Sequence, residues 1–249
     1  MALRDVLHAP GAWLLRRRVA RERAGAHQAL VAFYGTFVRS GDLVFDIGAN
    51  VGDRSAAFLE LGAKVVAVEP QARCVATLRE AFAGRPSLTV EPVGLADAPG
   101  TRTMLVASES TVCSMAADWV DAVQETGRFG ATTWDDRVDV EVTTFDALIE
   151  RHGVPAFTKI DVEGFESVVL SGLSQPIPMA SFEFVHETRH LAEACVRRLE
   201  SLGVTQFNLS VAESLELDAA AWISGDDVLA SIAALGAGGW GDVYARTPA

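Results

Sequence analysis

Short apolar runs that alternate with helix-like segments constrain this chain more than any other feature of its sequence. From residue 43 onward, runs such as Leu43 to Phe45, Lys64 to Val68 and Phe157 to Ile160 are each followed by a segment with helical periodicity. Glycines close several of those segments, Gly62 and Gly172 among them, as is common at helix C-termini. Strands that alternate with helices predict an α/β fold with a mostly parallel sheet and helices on both faces.

The chain is predicted to form one domain that carries a short N-terminal extension. Its 249 residues suit a single alternating core, and no domain-scale linker interrupts them. We assign residues 1–40 to a helical segment and residues 41–249 to the main domain. Residues 107–136 interrupt the alternation as an irregular stretch, which either caps a substrate pocket or packs its aromatic residues within a hairpin. Those aromatic residues are Trp119, Phe129 and Trp134.

The distribution of charge argues against a nucleic-acid partner. The formal net charge is −12, although residues 1–24 carry six arginines and only two acidic residues. An acidic body repels polyanions, because their binding needs basic side chains that displace counterions. We interpret the arginine-rich segment as a solvated helix face, with contact to an acidic partner or a membrane surface as the alternative.

Cysteine usage and hydropathy indicate an intracellular globular protein. Cys74, Cys113 and Cys195 are isolated in sequence, which predicts neither a disulfide framework nor a thiolate zinc site. No apolar run reaches the ~20 residues that span a bilayer. The N-terminus does not show the pattern of a signal peptide, since its charges follow the apolar stretch. We therefore expect a cytoplasmic protein.

A glycine-rich loop after the first predicted strand indicates where a nucleotide-like cofactor binds. The loop reads DIGANVGD and places Gly48, Asn50 and Gly52 after Asp46. Glycines there allow a tight turn and a close approach of the backbone to a ligand. Glu69 follows Gly48 by 21 residues, at the end of the second predicted strand. A carboxylate at that point accepts hydrogen bonds from the ribose hydroxyls of an adenosine.

The charges around this loop favour S-adenosylmethionine over NAD. The NAD pattern G-x-G-x-x-G leaves a helix N-terminus open to a pyrophosphate, whereas Asn50 and Asp53 replace the second and third glycines here. Asp46 and Asp53 oppose a pyrophosphate but favour the ammonium and sulfonium cations of S-adenosylmethionine. Helix N-capping is the competing explanation for Asp53. An NAD-linked oxidoreductase and a non-catalytic cofactor-binding module remain as alternatives.

Four segments within residues 40–190 resemble the FkbM-type methyltransferases. They are LVFDIGANVGDRSAAF at 43–58, VVAVEP at 65–70, FTKIDVEGFESVVLSGL at 157–173 and SFEFVHE at 181–187. The resemblance implies a class I, Rossmann-like methyltransferase that uses S-adenosylmethionine and usually methylates a hydroxyl of a sugar or natural product. By the same resemblance, the residues that contact the cofactor are Asp46, Gly48, Asn50 and Glu69, and a turn with Gly94, Leu95 and Asp97 lies near the adenine.

Polar residues at the ends of later strands supply the candidate catalytic groups. Asp161 and His186 each end a predicted strand, and parallel strands end at one edge of the sheet. A hydroxyl acceptor must lose a proton, so we assign the base to His186, whose ordinary pKa is ~6.5. Asp161 is expected to orient a small hydroxylated acceptor or the cofactor's ammonium, with Glu163 and Glu183 as further candidates. A divalent cation held by Asp161 and His186 ranks second, and no metal site is predicted.

The sequence HETRH at 186–190 also fits the zinc-protease motif H-E-x-x-H. That motif needs a helix, because only there do residues i and i+4 place both imidazoles on one metal. The residues before His186 have strand character, so His186 and His190 are expected to diverge. A zinc hydrolase is therefore the weakest of the alternatives.

Overall fold

A seven-stranded central sheet organises the protein, whose computed structural model describes residues 13–248. The strands among these residues are β1 (Leu43–Ile47), β2 (Lys64–Val68), β3 (Leu88–Glu91), β4 (Gly94–Leu95), β5 (Gly100–Val106), β6 (Asp136–Thr143), β7 (Phe157–Ile160), β8 (Met179–Val185), β9 (Gln206–Val211) and β10 (Trp240–Arg246). The order in the central sheet is β3-β2-β1-β7-β8-β10-β9. Only β10 runs antiparallel to its neighbours there, so the predicted α/β fold with a mostly parallel sheet is confirmed.

The helices connect the strands and cover the sheet. Among the described residues they are α1 (Trp13–Tyr34), α2 (Asp53–Glu60), α3 (Ala72–Ala81), α4 (Ala117–Thr126), α5 (Phe145–His152), α6 (Glu166–Ser171), α7 (Arg189–Ser201) and α8 (Gly225–Ala234). Local capping fixes where some of them begin. The Thr144 hydroxyl accepts a hydrogen bond from the Ala147 N–H at the start of α5.

The parallel strands are buried on both faces, which explains their nearly continuous apolar sequences. β1 pairs with β2 on one side and with β7 on the other, so it lies at the centre of the parallel part of the sheet. Its residues Val44 to Ile47 are all buried, and Asp46 is the one charged residue among them. Parallel strands share one carboxyl edge, so the loops after β1, β2, β7 and β8 converge there.

The N-terminal helix packs against the domain, as its aromatic residues require. Phe33 and Tyr34 at the end of α1 are buried in one cluster with Phe58, Phe157 and Tyr244. The helical prediction is confirmed for α1, whereas residues 1–12 lie outside the described part of the chain. Side chains are described from residue 24 onward, so the role of the arginine cluster stays a prediction. No helix in residues 13–248 is both long and apolar enough to cross a bilayer.

The segment between β5 and β6 is more ordered than its sequence indicates. The sequence predicts an irregular stretch at residues 107–136, but these residues contain α4 and a short 3-10 turn at Ser110–Val112. The apolar positions Trp119, Val120 and Val123 form the buried face of α4, a helical pattern too short to identify beside acidic neighbours. β5 and β6 pair as an antiparallel hairpin in a separate sheet of order β4-β6-β5.

Candidate active site

The glycine loop turns sharply between β1 and α2 and approaches β7 closely. Gly48 has φ of 81°, and a Cβ there would lie 1.8 Å from the carbonyl oxygen of Asp161. Gly52 has φ of 93° and is the N-cap of α2. Asp53 is therefore the first helical residue, and its interpretation as the N-cap is wrong. Asn50 itself adopts a left-handed conformation with φ of 47°.

Glu69 follows β2 directly, and backbone N–H groups from both sides of the site hold its carboxylate. One oxygen accepts from the Asn50 N–H at 2.8 Å, and the other accepts from the Gln71 N–H at 2.8 Å. Burial raises the pKa of Glu69, although these hydrogen bonds act in the opposite direction. Each oxygen keeps a further lone pair, so the carboxylate can still accept two hydroxyl donors.

A cavity of about 230 Å³ opens at the carboxyl edge of the sheet, between the glycine loop and the ends of β2 and β7. Gly48, Asn50, Gly52 and Glu69 line it, as their predicted contacts with a cofactor require. Apolar side chains line the cavity beyond Glu69. They are Val93, Leu95, Met104 and Met115, and Gly94 lies beside them.

Asp46 lies one residue before the end of β1 and also lines the cavity. It is 2% exposed, and its carboxylate accepts a hydrogen bond from the Ser55 hydroxyl at 2.5 Å. Burial raises the pKa of Asp46, and the Ser55 hydrogen bond opposes that rise. The position in the cavity lining fits the predicted contact of Asp46 with the cofactor.

The segment after β7 is organised by a lysine that is completely buried. The Lys159 ammonium lies 2.8 Å from an Asp242 oxygen and 3.1 Å from an Asp161 oxygen. Burial acts to raise the pKa of Asp161, but the charges of Lys159 and Arg54 outweigh it and lower that pKa. Asp161 is therefore ionised at neutral pH.

Three carboxylates meet where β7 and β8 end beside the glycine loop. Oxygens of Asp161, Glu163 and Glu183 all lie within 4.8 Å of one another, and all three residues line the cavity. Burial and then the charges of neighbouring carboxylates raise the pKa values of Glu163 and Glu183 well above the usual range. The cluster thus combines one ionised carboxylate with two that hold protons more strongly.

Glu166, a buried residue at the start of α6, supports the loop that carries Glu163. One of its carboxylate oxygens accepts hydrogen bonds from the N–H groups of Val162 and Gly164, at 3.0 and 3.3 Å. The Ser114 hydroxyl donates to the Glu163 carbonyl at 2.6 Å from the other side. Burial raises the pKa of Glu166 to about 7. Sequence reasoning did not identify this residue, because its role depends on contacts rather than on position.

His186 does not line the cavity, which corrects its assignment as the base. β8 ends at Val185, and the chain then turns away, so that the His186 N–H donates to the Gly239 carbonyl at 2.8 Å. Its Nδ1 is buried and finds no hydrogen-bond partner among the described residues. Its side chain therefore does not join the other candidate catalytic residues, Asp161, Glu163 and Glu183, which the fold brings together.

The H-E-x-x-H residues do not lie on one helix. His186 to Thr188 form a 3-10 turn, α7 begins at Arg189, and His190 is exposed. The Glu187 carboxylate is paired with the Arg128 guanidinium at 2.7 Å rather than free to act as a base. Among residues 13–248, Asp161, Glu163 and Glu183 form the only group of three or more possible metal ligands.

Asp97 also lies outside the cavity lining, in contrast to Gly94 and Leu95. Its carboxylate is exposed and pairs with the Arg102 guanidinium at 2.7 Å. The chain leaves the carboxyl edge after Ala96 and turns into β5, which carries Asp97 away from the site. The predicted contact of Asp97 with the cofactor therefore has no support from the geometry.

The 107–136 segment contributes to the cavity through its first turn rather than through its large aromatic residues. Ser110, Thr111 and Cys113 line the cavity. The Ser110 carbonyl accepts hydrogen bonds from the side chains of Asn50 and Gln71, both at 3.0 Å. Sequence reasoning missed these contacts because they join residues that are 60 and 39 positions apart.

The aromatic residues of this segment pack against one another. The rings of Trp119, Phe129 and Trp134 have centroids 5.7 to 6.4 Å apart, and Trp119 is 1% exposed. The Trp134 indole N–H donates to the Val112 carbonyl at 2.7 Å, so the same cluster steadies the turn beside the cavity.

The charge of the cavity discriminates between S-adenosylmethionine and NAD. Seven acidic side chains line it against one guanidinium, that of Arg54, and only Glu163 and Glu183 among the seven have pKa values well above the usual range. The seven are Asp46, Asp53, Glu69, Asp161, Glu163, Glu183 and Glu213. Such a lining opposes a pyrophosphate but stabilises the sulfonium and ammonium groups of S-adenosylmethionine. The residues present therefore fit this cofactor, with Glu69 for its ribose and the apolar side chains around Leu95 for its adenine.

Solved structures of methyltransferases match the chain at low similarity. A precorrin-6y C5,15-methyltransferase from Geobacter metallireducens is 11% identical with a TM-score of 0.45, over 91% of this chain and 87% of that chain. Aeropyrum pernix fibrillarin with natively bound S-adenosyl-L-methionine is 9% identical with a TM-score of 0.44, over 84% and 68%. No curated protein sequence matches the chain.

A family model gives the assignment that these distant structures do not. The model of the methyltransferase FkbM domain matches residues 46–218, which include the glycine loop, Glu69 and the three-carboxylate cluster. This match replaces the NAD-linked and zinc-hydrolase alternatives and agrees with the fit of the cavity to S-adenosylmethionine. The chain belongs to the FkbM family of S-adenosylmethionine-dependent methyltransferases.

Proposed function

We propose that this methyltransferase acts on a hydroxyl oxygen of a small molecule, a sugar or a natural product. One observation carries the proposal. Glu163 and Glu183, two carboxyls with raised pKa values, lie beside an ionised Asp161 in the same cavity as the glycine loop. Titratable groups whose environments separate their pKa values commonly divide the tasks of proton transfer and orientation.

The chemistry of oxygen methylation explains why such a cluster is needed. S-adenosylmethionine supplies an electrophilic methyl group, so the protein must chiefly align an acceptor oxygen with it. A neutral hydroxyl must also lose its proton, and a base works best when its pKa lies near the working pH. We assign proton acceptance to the neighbouring carboxyls Glu163 and Glu183, whose oxygens lie within 4.8 Å of each other.

The charge of the protein favours a neutral or cationic acceptor over a polyanion. Seven acidic side chains line the cavity, and the whole chain has a formal net charge of −12. Ser110 and Thr111 add polar groups to the wall that the 107–136 segment provides. We propose that this segment forms part of the acceptor site.

A panel of hydroxylated compounds tests the proposal most directly. Purified protein and S-adenosylmethionine with a labelled methyl group would be incubated with free sugars, glycosylated natural products, their aglycones and an RNA transcript. We expect label in a sugar or natural-product fraction, as an ether that withstands mild base. Label found only in RNA, or only as an ester or amine, contradicts the proposal.

The variant Glu183→Gln tests the assigned base once an acceptor is known. We expect the catalytic rate to fall by roughly a hundredfold, the usual contribution of a positioned base. Binding of S-adenosylhomocysteine, measured by calorimetry, should stay unchanged. His186→Ala is the matched comparison, because His186 lies outside the cavity lining. A loss of rate in His186→Ala with a near-normal rate in Glu183→Gln would return the base to His186.

A further inference from the structure

Arg54 is the one basic side chain that lines the acidic cavity in the described part of the chain. It is the second residue of α2 and follows the glycine loop immediately. One terminal nitrogen, Nη2, lies 2.7 Å from a Glu213 oxygen and 3.9 Å from an Asp161 oxygen. The Nε is buried and finds no acceptor among residues 13–248. The guanidinium therefore has an unpaired N–H donor, and buried donors rarely stay unpaired.

The ion pair between Glu213 and this guanidinium is weak. The Glu213 side chain is 53% exposed, and exposed ion pairs contribute little free energy. Glu213 also adopts a left-handed backbone with φ of 54° in the turn after β9, next to Ala212 with φ of 50°. A planar carboxylate from a ligand can form two parallel hydrogen bonds with a guanidinium, which is a stronger interaction.

The order of the strands fixes which end of the cofactor reaches Arg54. Glu69 follows β2, and Leu95 lies in β4, the strand that follows β3 along the chain, so we place the ribose and adenine there. Arg54 and Asp161 lie on the other side, where β1 and β7 are neighbours. A ligand whose ribose is bound at Glu69 therefore extends its amino-acid end across β1 toward these two residues.

The charges there match that amino-acid end. S-adenosylmethionine carries its α-carboxylate and its α-ammonium on the same carbon atom. Arg54 and Asp161 present the opposite charges, with Nη2 of Arg54 3.9 Å from an Asp161 oxygen. We propose that Arg54 binds the α-carboxylate of the cofactor while Asp161 binds its α-ammonium, with Glu213 displaced from the guanidinium on binding. The inference depends on the cofactor of the family and is independent of the acceptor.

Two ligands that differ in the amino-acid end test the inference by calorimetry. S-adenosylhomocysteine carries the carboxylate and ammonium, whereas 5′-methylthioadenosine has neither. In Arg54→Gln we expect the affinity for S-adenosylhomocysteine to fall about tenfold or more, the usual effect of losing a charged hydrogen bond. The affinity for 5′-methylthioadenosine should stay within about twofold. Arg54→Lys, which keeps the charge but not the paired donors, should give an intermediate loss.

The ratio of the two affinities separates binding from damage to the fold. A variant that merely distorts the cavity weakens both ligands equally, and that result overturns the inference, as does an unchanged affinity for both. Arg197→Gln is the matched control, because Arg197 is exposed, pairs with Glu200 and Asp226 and lies outside the cavity lining. It should leave both affinities unchanged. Since only binding is measured, failure of the proposed acceptor chemistry does not affect the outcome.

Discussion

Buried carboxylates have different surroundings at the two ends of the active-site cavity. At the β2 end, the Glu69 carboxylate is held by N–H groups of Asn50 and Gln71. At the β7 and β8 end, Glu163 and Glu183 face each other and Asp161 across less than 5 Å, and a buried lysine supplies the countercharge. The first arrangement fixes an acceptor for ligand hydroxyls in place. The second leaves charge that changes with protonation, which suits a region where protons are moved.

The largest effect on stability should come from removing Lys159, the cation of the second region. Lys159→Met leaves Asp161 and Asp242 buried without their shared cation, and breaking a buried ion pair typically costs about 3–5 kcal/mol. Urea unfolding would measure the loss. Lys64→Met, at the only other lysine of the chain, is the control because Lys64 is exposed. A loss in Lys159→Met no larger than the control's would show that the cluster does not need this cation.

A pH-dependent effect on stability should follow from Glu166, which supports the same region. Its pKa is raised to about 7, so folding favours its protonated form, and its contribution to stability is lost as the pH rises from its unfolded pKa of ~4.5 through 7. Glu166→Gln keeps an oxygen for the N–H groups of Val162 and Gly164 but cannot ionise. Between pH 5 and pH 8 we expect the variant to gain about 2–3 kcal/mol over the wild type.

Unfolding curves of both proteins at the two pH values measure this difference directly. Taking the variant minus the wild type cancels the other buried carboxylates, whose titrations are common to both proteins. A difference that stays constant between pH 5 and pH 8 would mean that Glu166 is ionised in the folded protein over this whole range. Within this region, raised pKa values would then be confined to Glu163 and Glu183.

The smallest of these effects belongs to the first region and concerns affinity rather than stability. In Glu69→Gln, the new amide NH₂ faces a backbone N–H and cannot accept a ribose hydroxyl. We expect S-adenosylhomocysteine binding to weaken by about 1–3 kcal/mol in calorimetry. Glu141→Gln, an exposed position on β6, is the control. Equal affinities in wild type and Glu69→Gln would remove Glu69 from the cofactor site.

The same division explains how far the sequence predicted the molecule. The glycine loop and Glu69 depend on spacing within one strand–helix–strand unit, so their places in the cavity followed from local pattern. The acidic cluster was only partly foreseen, because Asp161 follows β7 and Glu183 lies on the neighbouring strand β8, whose ends had to be located within a residue or two. His186 was misassigned for that reason, since β8 ends at Val185 and the chain turns away.

Other features that the sequence did not reveal have the same physical origin. Arg54 and Glu166 give no motif of their own, and their significance comes from partners that the fold brings together. The helix α4 was overlooked because its apolar face spans only Trp119 to Val123 within an acidic stretch. Asp97 was placed near the adenine through family resemblance, but its own neighbour Arg102 draws it to the surface.

The place of β10 in the sheet has a consequence for how the enzyme is made. Trp240–Arg246 is inserted between β8 and β9, so two strands that are translated earlier wait for it with unpaired edges. Asp242, the second partner of Lys159, arrives on the same strand. A nascent chain whose β10 has not yet left the ribosome therefore has neither a complete sheet nor the balanced charges around Asp161. Activity and resistance to aggregation should consequently appear together, late in synthesis, rather than building up as the polypeptide lengthens.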